Sequence, residues 1–372
     1  MVACLAITSF AGVGSYKLIK SWNESNNLKA EILETNSNID KIPNKDKEDV
    51  QIYEENTTVD IPQKEFTVAF LGELMMGGEI GENLDYNYMS AFKSIAEYTN
   101  HADYTTLNLA TNVIDLDKIQ NAKSKYIVTK SIENAFNALG VDGINIASDH
   151  MMDFGKEVFK DTLSILEQDY DLIGLKDTTV YAEHDGIKIA IIGVCNEVIG
   201  TEGKYTDAGI MMYNMKKLKS MISEAKKNVD TVIMLTHLGF ENTHTITSIM
   251  SWFYRELIKA GADMVLGSHA LGLYPVEIYK GKPIIYSMGK LMSDTDYPIG
   301  KETGVFTIKI NESGSITSLE IVPLYVNAKK QTILYSDYNR KDNDTLLQYL
   351  TQNIDEDKYN ISGNKVIIDI QD

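Results

Sequence analysis

Cysteine is nearly missing from this chain: two residues in 372, Cys4 and Cys195. One lies in the apolar N-terminus and the other ends a strand-like run, so a disulfide framework and a cysteine-rich zinc site are both excluded. Cys195 is expected to be a small core residue; so few thiols do not by themselves fix the compartment. Basic residues are also in deficit, 35 against 53 acidic, for a net charge of −18. A surface of that sign repels a phosphate backbone and releases none of its counterions, so nucleic acid is not an expected partner. It would equally repel an anionic polymer, which could be held only through a local basic patch or a bridging cation. No internal repeat and no low-complexity tract is present, so solenoid and fibrous architectures are set aside.

What is present is a foldable α/β pattern behind an N-terminal appendage. The hydrophobic fraction of 44% is ample for a buried core, and the length suits one large domain with additions. Residues 1–22 carry an apolar run from Val2 to Gly14, followed by Lys17, Lys20 and Trp22. This reads as a membrane anchor or signal segment, although it falls short of the roughly 20 apolar residues a bilayer span prefers and lacks a basic leader. Residues 23–64 are rich in Asn, Asp, Glu and Lys without apolar periodicity, a polar disordered linker.

From Glu65 short β-branched runs alternate with helical spacing. Strands are expected over residues 66–71, 104–109, 143–147, 188–194, 231–236, 263–266, 284–288 and 305–310. Met215, Leu218, Ile222 and Ala225 repeat at three to four residues, as do Ile246, Met250, Phe253 and Leu257, with Asn214 and Thr245 as expected N-caps. An alternating β/α order implies a layered α/β domain over residues 65–330. Residues 331–372 form a C-terminal extension in which Val366, Ile367, Ile368 and Ile370 can add one edge strand.

Metal-binding side chains gather at the strand ends, where α/β sheets place their sites. Glu73 follows the first strand among Gly72, Gly77 and Gly78, Asp149 and His150 follow the strand at Gly143, His237 ends the strand at Thr231, and His269 ends the strand at Asp263. Carboxylates and imidazoles from four strand ends suit a divalent first-row metal with N and O ligands. His101, His184 and His244 have no such setting and are read as packed or exposed residues.

These segments, in order, resemble the poly-γ-glutamate capsule biosynthesis (CapA-like) family. The resemblance runs from about Glu65 to Tyr325 through Gly72-Glu73, Asn108-Leu109-Ala110, Ser148-Asp149-His150 with Asp153-Phe154-Gly155, His237-Leu238-Gly239 with Glu241, Gly267-Ser268-His269-Ala270-Leu271 and Tyr286-Ser287-Met288-Gly289-Lys290-Leu291. It implies an α/β/β/α sandwich of metallophosphatase type. It also implies a role outside the cytoplasmic membrane, anchored by the N-terminus, in the synthesis or export of poly-γ-glutamate beside a membrane-bound capsule polymer synthase complex, with an anionic polymer as ligand.

The family pattern further assigns His150 and Asp149 to catalysis, Glu73, Asp149, His237 and His269 to metal, and Asn108, Glu241 and Lys290 to substrate. Two departures weigh against a two-metal centre: Ala110 stands where the family has glutamate, and Leu271 where it has a second histidine. The expectation is therefore one divalent ion, Mn, Fe, Zn or Mg. Lys290, in place of an asparagine, brings an ammonium that either binds an anion or replaces missing positive charge. A non-catalytic scaffold using the inherited cleft and a secreted metal-dependent phosphoester hydrolase stand as rivals, since fold does not fix substrate.

Overall fold

The computed structural model describes residues 64–115, 126–196, 209–239, 245–270, 272–294 and 301–371, with the backbone of two short strands, Ile199–Gly200 and Gly203–Lys204. The N-terminal anchor and the linker up to residue 63 lie outside the described residues, as do Glu241, His244 and Leu271. No helix among the described residues is long and apolar enough to cross a membrane.

The main strands, in chain order, are β1 (Glu65–Met75), β2 (Tyr104–Leu109), β3 (Gly143–Asn145), β4 (Asp171–Ile173), β5 (Val180–His184), β6 (Ile187–Cys195), β7 (Thr231–His237), β8 (Met264–Ser268), β9 (Val276–Tyr279), β10 (Lys282–Ile285), β11 (Lys290–Ser293), β12 (Glu302–Asn311), β13 (Ile316–Val326), β14 (Tyr359–Ser362) and β15 (Lys365–Asp369). They form two large sheets. One runs β14-β15-β13-β12-β1-β2-β3-β4, with β11 paired to the end of β1 and Thr332–Leu334 paired to β13. The other runs β9-β10-β8-β7-β6-β5. The centre of each sheet is parallel: β1, β2, β3 and β4 in the first, β6, β7, β8 and β10 in the second.

Central strands buried on both faces explain the continuous apolar runs in the sequence. On the inner faces, Phe66, Val68, Phe70, Phe306 and Ile308 of the first sheet pack with Ile189, Ile191, Ile233, Leu235 and Leu266 of the second. On the outer face of the first sheet, α1 (Gly155–Leu166) brings Phe159, Ile165 and Leu166 into a core with Leu107, Leu109 and Ile144. Outside the second sheet, α2 (Met215–Ala225) and α3 (Ser248–Lys259) bury Leu218, Ile222, Phe253 and Leu257 against Ile192, Val232 and Val265. The result is the expected α/β/β/α order of layers.

Most expected strands are present, and three details differ. The strand expected to reach Met288 stops at Ile285, and Tyr286, Ser287 and Met288 continue as buried irregular chain toward the positive φ of Gly289. The apolar C-terminal run is not an edge strand: β15 lies between β13 and β14, so residues beyond 330 extend the first sheet. The N-cap of α3 is Thr247, whose side chain accepts from Met250 N–H, rather than Thr245. Ile246 packs on the core from ahead of the helix, so it joined the apolar spacing without being helical. Asn214 caps α2 as expected. Replacing Thr247 by alanine removes the partner of one helix-end N–H, and a loss of about 1 kcal/mol is expected, read as a melting temperature lower by roughly 2 °C.

Candidate metal centre

The parallel strands of both sheets deliver their carboxyl ends to one rim. β1 places Glu73 there through an irregularity in register, with Glu73 opposite Asn108 on one side and Lys290 on the other. Gly72 makes this approach feasible: a Cβ on it would lie 2.4 Å from Thr303 Oγ1 and 2.6 Å from the Gly289 carbonyl oxygen. Asp149 and His150 open a short 3-10 turn beyond β3, capped by Ser148, whose side chain accepts from His150 N–H. His237 is the last residue of β7, and His269 follows β8 with a φ of 81°. A histidine held at positive φ is an unusual backbone state that turns its ring away from the strand's own course.

Four side chains meet across the two sheets. Asp149 Oδ1 lies 2.8 Å from His237 Nε2, Asp149 Oδ2 is 3.5 Å from His269 Nδ1, and His150 Nε2 is 3.8 Å from Asp149 Oδ1. The His237 and His269 rings sit with centroids 4.8 Å apart. Glu73 joins from below, its Oε2 accepting from His269 N–H at 2.9 Å. Behind His237, Nδ1 is 3.2 Å from Ser268 Oγ, which itself donates to the Thr236 carbonyl. With that hydroxyl proton spent, Nδ1 donates to Ser268 Oγ, while Nε2 donates to the ionised Asp149 and, once deprotonated, is the nitrogen that can take a metal.

The charges reinforce one another. Burial would raise the Asp149 carboxyl, but His237, His150 and His269 around it outweigh that and hold it well below the usual carboxylate range. Glu73, wholly buried, is likewise kept down by Lys290, His237 and His269 against its own desolvation. The His237 imidazole is pushed down by burial yet ends raised, because Asp149 and Glu73 favour its cation. His150 ends raised too: burial opposes its charge, and the hydrogen bond from Nδ1 to Asp153 Oδ2 at 2.8 Å, together with Asp149, overcomes it.

Asp149, His237 and His269 each offer one donor atom, and the three atoms lie within 4.8 Å of one another. Glu73 Oε1 is buried with no hydrogen-bond partner, its charge answered at 4.0 Å by the Lys290 ammonium. The imidazole and carboxylate donors beside it are of the kind that suits a divalent first-row ion. The set fits one divalent ion, with Asp149, His237 and His269 as ligands and Glu73 adjoining. Ala110, by contrast, is fully buried and brings no ligand to the rim.

Residues 67–295 match the family of bacterial capsule synthesis protein PGA_cap. The chain belongs to that family. Among its PGA_cap relatives, capsule biosynthesis protein CapA of Bacillus anthracis is 28% identical over 280 residues, spanning 71% of this chain and 68% of the relative. PGA biosynthesis protein CapA of Bacillus subtilis is 25% identical over 274 residues, spanning 70% and 72%. A solved phosphatase structure from Mycoplasma pneumoniae aligns with 71% of this chain and 94% of its own at 16% identity and a TM-score of 0.46.

The other site residues expected from the PGA_cap resemblance fall in different places. Asn108 is buried between strands: its amide donates to the Leu71 carbonyl and its oxygen accepts from Asn145 Nδ2 at 2.7 Å. Lys290 is at the site but only 1% exposed. Two neighbours, Tyr126 and Asn145, were not read from sequence, whereas Asp153 stood in the Asp153-Phe154-Gly155 segment. Asp153 holds His150, the Tyr126 ring lies 4.2 Å from the His150 ring, and Asn145 knits β3 to β2 beneath the rim. Of those two, only Asn145 left a legible trace, an amide inside the apolar run Gly-Ile-Asn-Ile-Ala that burial obliges to find partners.

Proposed function

We propose that this protein assists the synthesis or export of poly-γ-glutamate capsule polymer. It does so on the extracytoplasmic face of the membrane, anchored by its N-terminal segment beside membrane-bound synthase partners, through a reduced metal centre that takes a single divalent ion. The PGA_cap match and the capsule and PGA biosynthesis names of the relatives support the cellular role. The observation that carries the chemistry is the 2.8 Å contact of Asp149 with His237, which joins ligand-type groups from two sheets.

A divalent ion there would supply Lewis-acid chemistry. The chain's own residues do the rest. Asp149, His237 and His269 would hold the ion, and Ser268 keeps His237 Nδ1 as a donor so that Nε2 would be the ligating nitrogen. His150, fixed through Nδ1 by Asp153, is raised toward its cationic form and keeps its other nitrogen at the rim, where it can give a proton to a leaving oxygen. The same ion and imidazolium offer the local positive charge that an anionic polymer needs on a chain of net charge −18. A second reading, a ligand-binding scaffold without turnover, is favoured by the buried Ala110 in place of an acidic ligand.

In a strain lacking this protein, surface polyglutamate is expected to fall to background and to return with the wild-type chain; normal polymer in the deletion strain would sink the capsule role. Phosphodiester hydrolysis by the Mn-loaded protein separates the two readings of the cleft, turnover favouring the enzyme and its absence the scaffold.

A further inference from the structure

A lysine side chain is costly to bury, and Lys290 is buried at the base of the metal centre. It begins β11 directly opposite Glu73. Its ammonium contacts Met75 Sδ at 2.8 Å and stands 4.0 Å from Glu73 Oε1, the oxygen that has no hydrogen-bond partner. A thioether is a weak acceptor for a group with three donors. Electrostatics, not hydrogen bonding, therefore accounts for the placement, and the carboxylate is its counter-charge. The backbone fixes the pair: Glu73 N–H donates to the Gly289 carbonyl at 3.0 Å, and Gly289, at φ 70°, lies so close to Glu302 that a Cβ there would be 2.2 Å from its carbonyl oxygen.

We propose that Lys290 is a built-in cation that neutralises Glu73 and limits the centre to one divalent ion. The inference rests on the single-ion reading above and deepens it. Two positive centres a few ångströms apart in a buried site repel strongly, so an ammonium facing Glu73 excludes a second metal from that side and weakens the first. Glu73 then serves as a positioning residue: one oxygen answers the lysine, the other fixes the His269 backbone.

The experiment is Mn²⁺ titration of the EDTA-treated full-length chain by calorimetry, without substrate, in wild type, Lys290→Met and Lys290→Arg. Wild type and Lys290→Arg are expected to bind one equivalent with similar affinity. Lys290→Met, which keeps an unbranched side chain one atom shorter and loses the charge, is expected to bind at least tenfold more tightly. Unchanged or weaker binding by a cooperatively melting Lys290→Met overturns the inference, as do two equivalents in wild type. Lys290→Gln carries the same expectation should Lys290→Met not fold; if neither folds while Lys290→Arg does, the ammonium belongs to folding and the inference falls. A wild type that takes up no ion removes the metal-centre reading as well, whereas one equivalent with no response to Lys290→Met removes this inference alone.

Discussion

His237→Ala is expected to abolish stoichiometric divalent metal and, with it, any metal-dependent hydrolysis. Three donors are few for one ion, and a change in the supporting shell alone typically costs 10–100-fold in affinity, so losing a ligand should cost at least about 100-fold. The same substitution strips the buried Asp149 carboxylate of its 2.8 Å partner. Breaking a buried charge pair from one side is expected to destabilise the fold by about 3 kcal/mol. His237→Gln separates the two effects, since its amide can still donate to Asp149 but is a poor metal ligand. Metal analysis after dialysis, together with urea unfolding, should show metal lost in both variants and most of the stability restored in His237→Gln. Retention of metal by the alanine variant would contradict the ligand assignment.

Gly267→Ala is expected to be at least as damaging to folding. A Cβ on Gly267 would lie 2.1 Å from the Tyr254 hydroxyl and 2.3 Å from the Tyr286 carbonyl oxygen. The tyrosine could swing aside; the carbonyl belongs to backbone that is locked from the other side, where Met288 N–H donates to the Gly267 carbonyl. Overpacking of this kind typically costs 1–3 kcal/mol and more where backbone must move, so a loss of about 3 kcal/mol is expected. Because Gly267 lies two residues before His269 on β8, the same strain should displace a ligand. The variant is therefore expected to show lower metal occupancy as well as a lower melting temperature, and full metal binding with a wild-type melt would show that β8 can yield.

What could be read in the sequence was whatever periodicity and strand position control. The parallel strands announce themselves as apolar runs because both faces are buried, and a polar residue at the end of such a run stands out; Glu73, Asp149, His237 and His269 were found in that way and meet at one rim. What could not be read depends on contacts between distant segments. Lys290 follows a glycine in a loop-like stretch, and its burial against Glu73 arises from the pairing of β11 with the end of β1, which no local pattern reveals. Asn108 stands beside the site in sequence register, yet its amide is consumed by Leu71 and Asn145. The cap of α3 lies two residues later than expected because two threonines offer the same hydroxyl, and it is Thr247 that reaches the Met250 N–H.

The four-layer order places Asp149 on one sheet and His237 and His269 on the other, with the apolar inner faces between them. An ion held by all three would therefore act as a rivet across the two sheets, added to the apolar packing that already joins them. Ligand free energy becomes cohesion between halves of the domain, about 2.7 kcal/mol at a free concentration one hundred times the dissociation constant. Metal supply would then set how long the folded protein endures as well as what it can do.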